Sequence, residues 1–456
     1  MCAVKMDVKR LEEFIRTRMY ETRMPALAIS LSSDEITYAS GFGLADISRG
    51  RPATPQTAFG IASLTKSFTA LATVQLAEKG RLSLHDPITK FFDVSLREPY
   101  DGITIHNLLS HSSGFSTIGS AEARLSKRIG AGGNVSGVSE PKGIQGLFDD
   151  LLDWSVGKPG ERFSYLNEGF SMLSNIISIA SGMEYDQYVI RNILKPLGMS
   201  STFFYGGGEL EPDANVATPY RMDGNRGPVE SPMPAGKSGS GSLYSTVDDL
   251  SKYLGMFLSR GKAGDVRIVS ESGIEKMETP HIRLEGSLFG GEAYGYGLNI
   301  ASDFFGHKVI SHSGSVFVYT SHFAYLPGSG IKLSILSNTS GFPPGEIAHY
   351  ALALALGIEP EEIPYVGRNI ILRSLQGKYG SFQNIIVNEI TTRGDFLELR
   401  NNYGDESVML FPESITANHA RFIAVRNGRE TAAEFFIHQD GKIELIHAGG
   451  KFRKFT

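Results

Sequence analysis

The 456-residue sequence predicts an α+β chain in two parts. Residues 1–357 are expected to form an antiparallel sheet flanked by helices, with a helical subdomain; 358–366 read as a linker and 367–456 as a small antiparallel β-barrel. Three observations carry this. A helix and a strand hairpin open the chain, and strand patterns return only after residue 290. The stretch between them, above all 103–200, is mostly helical in period. Past the Pro- and Glu-rich run Gly357–Pro364 the pattern changes to short alternating strands between turns.

The elements follow in order. Val8, Leu11, Phe14, Ile15 and Met19 space as one face of an amphipathic helix over 8–20. The runs 26–31 and 35–40, separated by Ser32-Ser33-Asp34, read as a hairpin. A long apolar helix starts near Ala62 and stops near Lys79-Gly80, a basic residue followed by the glycine favoured at helix ends. Residues 130–137, glycine-rich, read as a mobile surface loop. Strands are expected at 296–300, 308–312, 320–325 and 331–336, and a helix from Gly345 to Leu356; the opening helix and hairpin are expected to join these strands in one sheet. In the last part, 396–400, 421–425 and 442–446 alternate like barrel or sandwich strands.

Composition narrows the function. Hydrophobic content is ordinary at 41%, and a net charge of −5 argues against an electrostatic nucleic-acid binder. No run of about 20 apolar residues predicts a membrane span. Cys2 is the single cysteine, so no intrachain disulfide forms, and the first ten residues lack the apolar core of a signal peptide. A cytoplasmic location is the expectation. The histidines are scattered without ligand spacing, and Gly206-Gly207-Gly208 lacks the lysine of a phosphate loop, so neither metal nor cofactor is implied.

Five Ser-x-x-Lys spacings occur, and one has the context for chemistry. Ser139…Lys142 contains a proline, while Ser155…Lys158, Ser259…Lys262 and Ser329…Lys332 each contain a glycine. Ser63-Leu64-Thr65-Lys66 opens the apolar helix. Residues three apart share a helix face, so the Ser63 hydroxyl and Lys66 amine can meet one reacting atom. Free N–H groups at a helix start favour developing negative charge. Apolar neighbours should lower the pKa of Lys66 and fit it to accept a proton. The alternative is a capping serine and a solvated lysine.

Two distant motifs support the chemical reading. Tyr165-Leu166-Asn167 is the sole Tyr-x-Asn among 18 tyrosines. A tyrosine near an ammonium can shuttle protons; the alternative is a packed ring. His312-Ser313-Gly314 ends a strand run. Imidazole suits proton transfer near neutral pH, and Gly314 lets a substrate backbone lie close; a structural histidine is the alternative. Leu108–Gly114, with His111, reads as helix termination and packing. Tyr294-Gly295-Tyr296-Gly297 reads as a strand beside a cleft, and Lys237-Ser238-Gly239 as a loop.

Seven blocks then stand in order: Phe59–Lys66, Ile105–Gly114, Pro159–Asn167, Lys195–Met199, Gly241–Leu250, Tyr294–Gly297 and His312–Gly314. Over residues 10–356 the chain resembles the serine β-lactamase-like superfamily: class C β-lactamases, penicillin-binding proteins, D-aminopeptidases and family S12 peptidases. Within it the chain is most similar to the CubicO group, and the appended barrel resembles that of archaeal self-compartmentalising serine proteases of this group.

The resemblance implies a β-lactamase-like fold followed by a lipocalin-like barrel. It implies a catalytic set of Ser63 as nucleophile, Lys66 as its activator, and Tyr165 and His312 as proton carriers. Asn167 would contact substrate, and the backbone N–H groups of Ser63 and Ser315 would form the oxyanion hole. His312 stands where many lactamases carry lysine, which turns the reading from β-lactams toward peptidase and esterase branches. The expected activity is a serine peptidase acting on short peptides, including D-residues, through an acyl-enzyme. An esterase, a β-lactamase or a non-catalytic penicillin-recognising protein are the alternatives. The barrel implies a homo-oligomer, octameric and self-compartmentalising by resemblance.

Overall fold

The structure, a computed structural model, describes residues 6–117, 119, 143–211, 214–223, 227–286, 288–402, 407–426 and 428–455. The expected loop at 130–137, Ser139…Lys142 and Cys2 lie outside them. The chain divides into two compact units, 1–355 and 356–456.

Among the described residues, nine strands of the first unit form one antiparallel sheet. They are β1 (Ala26–Ser32), β2 (Thr37–Asp46), β3 (Arg51–Pro52), β4 (Ile282–Arg283), β5 (Ala293–Tyr294), β6 (Asn299–Phe304), β7 (His307–Val316), β8 (Tyr319–Leu326) and β9 (Ile331–Ser337). Their spatial order is β4-β5-β6-β7-β8-β9-β1-β2-β3. The hairpin at the start of the chain therefore joins the late strands, through pairs such as Ile29 with Ile335. β8 is buried along its whole length, as a strand covered on both faces must be.

On one side α1 (Val8–Thr22) buries Leu11 and Ile15, and its Phe14 ring stacks on Tyr350 of the helix Pro344–Leu356 at 3.9 Å. Among the described residues, the helical layer consists of α2 (Thr65–Glu78), α3 (Ile105–Leu109), α4 (Gly143–Asp153), α5 (Asn167–Ser181), α6 (Tyr185–Val189), α7 (Val247–Leu258) and α8 (Glu271–Met277); the Pro344–Leu356 helix is α9. α2 is buried on every side from Thr65 to Leu76, the signature of a central helix. Its Phe68 stacks on Tyr253 of α7 at 3.8 Å, and Thr69 Oγ1 donates to Gly239 O at 2.8 Å.

Two local readings shift. The run 296–300 is a turn followed by the start of β6, because Gly297 sits at φ 66° and reverses the chain between β5 and β6. The proline-rich stretch 358–366 carries a 3₁₀ turn, Pro360–Glu362, and the start of α10 (Pro364–Ser374). Pro364 has no N–H to lose at a first helical position, where its fixed φ suits the helix.

The second unit is a closed eight-stranded antiparallel barrel: β10 (Gly377–Gly380), β11 (Val387–Arg393), β12 (Phe396–Asn401), β13 (Ser407–Ile415), β14 (His419–Arg426), β15 (Arg429–Ile437), β16 (Ile443–His447) and β17 (Gly450–Lys454). Pairing of Tyr379 with Lys454 closes it. Eight strands leave an interior that side chains can fill. Tyr379, Phe422, Phe435 and Leu445 pack there with Leu372 of α10.

Candidate active site

Ser63 lies in a 3₁₀ turn, Ala62–Leu64, that runs into α2 at Thr65. Ala62 adopts φ 48°, so the chain enters the turn from β-structure at an abrupt angle. Residues three apart eclipse one another in a 3₁₀ turn, which aligns Ser63 with Lys66. Lys66 Nζ stands 3.1 Å from Ser63 Oγ, and Lys66 is 0% exposed while Ser63 is half-buried.

The amine also donates to Asn167 Oδ1 at 2.6 Å and to the Ser240 carbonyl at 2.7 Å. Both oxygens can only accept, so they take two of its protons. Ser63 Oγ can give as well as receive. The Tyr165 ring lies 4.7 Å from Nζ, and Phe170 lies 5.6 Å away.

β7 brings the distant motif to the same place. His312, Ser313, Gly314 and Ser315 all border the cleft, and Ser313 Oγ also bonds His322 Nδ1 at 2.8 Å. Gly314 packs on the Ser63 turn: a Cβ there would stand 2.5 Å from Ile61 O and 2.9 Å from Ser63 N. That close approach sets Ser315 next to Ser63. Ser63, Tyr165, Asn167, His312, Gly314 and Ser315 all line one cleft of about 810 Å³. A neighbouring lobe of about 540 Å³ shares Ser63, Asn167 and Ser315, and adds Ser240, Tyr244 and Phe317.

The family model for β-lactamase matches residues 11–357, and that of the Pab87 octamerisation domain matches 360–451. The chain belongs to the β-lactamase family. It is 42% identical to the octameric penicillin-binding protein homologue from Pyrococcus abyssi, whose structure superposes with a TM-score of 0.89 over 98% of this chain and 100% of that one. Penicillin-binding protein 4* of Bacillus subtilis is 26% identical over 96% of this chain and 97% of its own length. A penicillin-binding protein from Bacillus halodurans is 25% identical, covers 75% of this chain and 98% of its own, and has a TM-score of 0.58.

In this β-lactamase-family cleft the electrostatics favour neutral imidazoles. His312 Nδ1 stands 2.7 Å from the Ser313 carbonyl, which must be its acceptor, so Nε2 receives the Tyr294 hydroxyl at 2.9 Å. Burial pushes His312 down to about 3, the Lys66 charge adds to this, and the Ser313 bond opposes it. His111 is held well below the usual range for the same first two reasons and by His312. Burial holds the Tyr294 phenol well above its usual range, so it stays a donor.

Three participants were hidden in the sequence of this β-lactamase-family member. Tyr294 reads there as a strand residue, yet its hydroxyl occupies His312. Ser240 acts through its carbonyl, which no side-chain motif reveals; the glycine-serine run 236–242 is its only trace. His111 reads as packing, yet its Nδ1 accepts the Leu166 N–H at 3.0 Å, inside the Tyr-x-Asn motif.

Proposed function

We propose that this protein is a serine peptidase that hydrolyses short peptides, including peptides with D-residues, through an acyl-enzyme on Ser63. The observation that carries this is the fully buried Lys66 amine, 3.1 Å from a hydroxyl that faces a cleft. Lys66 takes the Ser63 proton as Oγ adds to the carbonyl carbon. The N–H groups of Ser63 and Ser315 hold the oxyanion. Tyr165 relays that proton from Lys66 to the leaving amine, and water then hydrolyses the ester. Asn167 orients both the amine and the substrate. His312, kept neutral and occupied by Tyr294, acts as a polar wall of the cleft and exchanges protons only by way of that tyrosine.

Neutral His312 offers no charge to a β-lactam carboxylate, which supports the peptidase over the lactamase reading. The whole-chain likeness to an octameric homologue supports assembly into an octamer. With one cysteine in the sequence, we place the protein in the cytoplasm. The test is a mass-spectrometric assay on pooled L- and D-containing peptides, with Ser63→Ala beside the wild type. Cleavage by the wild type alone is expected. Cleavage by both would remove Ser63 from the mechanism, and cleavage by neither, with turnover of simple esters, would establish the esterase instead.

A further inference from the structure

We infer that His111 is a positioning residue: it holds Tyr165 beside Lys66 by gripping the peptide on both sides of that tyrosine. The inference rests on the reading of Tyr165 as a proton carrier. The His111 carbonyl accepts the Ser164 N–H at 2.8 Å, and its Nδ1 accepts the Leu166 N–H at 3.0 Å. Its ring lies 4.3 Å from the Tyr165 ring, centre to centre, and 4.9 Å from Phe170 and 5.0 Å from Tyr294. Tyr165 is thereby fixed at its backbone on either side and at the face of its ring.

The backbone is shaped for this. His111 adopts φ 55°, a left-handed conformation that costs a non-glycine residue energy and persists where its surroundings impose it. The next residues continue the grip: Gly160 N–H donates to Ser112 O at 2.7 Å, and Val156 N–H to Gly114 O at 2.8 Å. Gly114 approaches so closely that a Cβ would stand 2.2 Å from Gly157 O. The segment after α3 is thus a staple along residues 156–166, more than the end of a short helix.

The grip requires an acceptor at Nδ1, which gives the test. In the full chain, His111→Leu keeps bulk and loses the acceptor. His111→Asn tolerates the left-handed backbone and offers an oxygen in its place. Residue-resolved amide exchange is measured together with kcat and KM on a peptide that the wild type cleaves. For His111→Leu we expect faster exchange confined to the Ser164–Leu166 region, and kcat lower by about tenfold to a hundredfold with KM within about twofold. His111→Asn should restore most of both.

Wild-type exchange and turnover in His111→Leu would overturn the inference. So would a rise in exchange throughout the first unit, which marks a merely structural residue, or an Asn variant as impaired as the Leu one. If the wild type cleaves no peptide, the peptidase reading fails by itself, and exchange alone decides: faster at Ser164 and Leu166 in His111→Leu upholds the grip, and unchanged refutes it.

Discussion

At the scale of residues, the site is organised by what Lys66 and Gly314 each permit. Lys66→Met removes the amine that now donates to Asn167 Oδ1 and Ser240 O. Turnover should fall by about 10²–10⁴-fold, the usual worth of a general base. Steady-state kinetics on the best peptide from the pool checks this, and a Lys66→Met enzyme within tenfold of wild type would rule the amine out as base. Gly314→Ala must move Ile61, the Ser63 backbone or Ser321, since its Cβ would stand 2.4 Å from Ser321 Oγ. Overpacking of this kind costs about 1–3 kcal/mol. Urea unfolding should show that loss, and Ser63 should react more slowly with a fluorophosphonate. Tyr294→Phe leaves the buried His312 Nε2 without its donor. A loss of about 1–3 kcal/mol is expected from the same unfolding measurement, and an unchanged midpoint would mean that another group fills the place.

At the scale of elements, the strand β7 does the assembling. It carries His312, Gly314 and Ser315 along the cleft, and its pairing with β8 fixes the register, with Gly314 opposite Ser321. A one-residue slip would bury the wrong set. The sequence made α2 legible because an apolar run of that length admits few other states. It made β1, β8 and β9 legible through apolar, β-branched runs, whereas β2 and β7 run on past the expected 35–40 and 308–312 through glycine- and serine-containing stretches that the pattern does not display. The β5–β6 region was misread because aromatic residues flank a glycine whose left-handed backbone the pattern does not display. The site was legible where chemistry sits in side chains at fixed spacing, as for Ser63 and Lys66. It was illegible where a carbonyl (Ser240) or a partner's partner (Tyr294) does the work, since neither leaves a motif. In the barrel, Phe422 packs edge-on to Phe435, their centres 5.6 Å apart, at 0% exposure. Phe422→Ala should destabilise this unit by about 3–5 kcal/mol, read as a lower melting temperature.

At the scale of the whole molecule, buried and half-buried histidines couple stability to pH. Burial lowers His312 and His322 to about 3, and His106 and His349 to about 4, against 6.5 in the unfolded chain. Between those values the unfolded chain binds more protons than the folded one. Stability is therefore full above about pH 6.5 and declines as pH falls toward the folded values. The urea midpoint should be lower at pH 5 than at pH 8, and an equal midpoint would contradict the neutral state of these rings in the fold. The proposed octamer predicts a particle of eight chain masses by light scattering at activity-assay concentrations. A monomer there would separate catalysis from assembly.

The most direct test of the central claim is to trap the acyl-enzyme. The wild-type protein is mixed with an activated ester or amide of a short peptide, quenched in acid within the first turnover, and mapped by peptide mass spectrometry. Our account predicts an acyl adduct on Ser63, absent from Ser63→Ala and formed far more slowly in Lys66→Met. An adduct on another residue, or turnover that persists in Ser63→Ala, would contradict it.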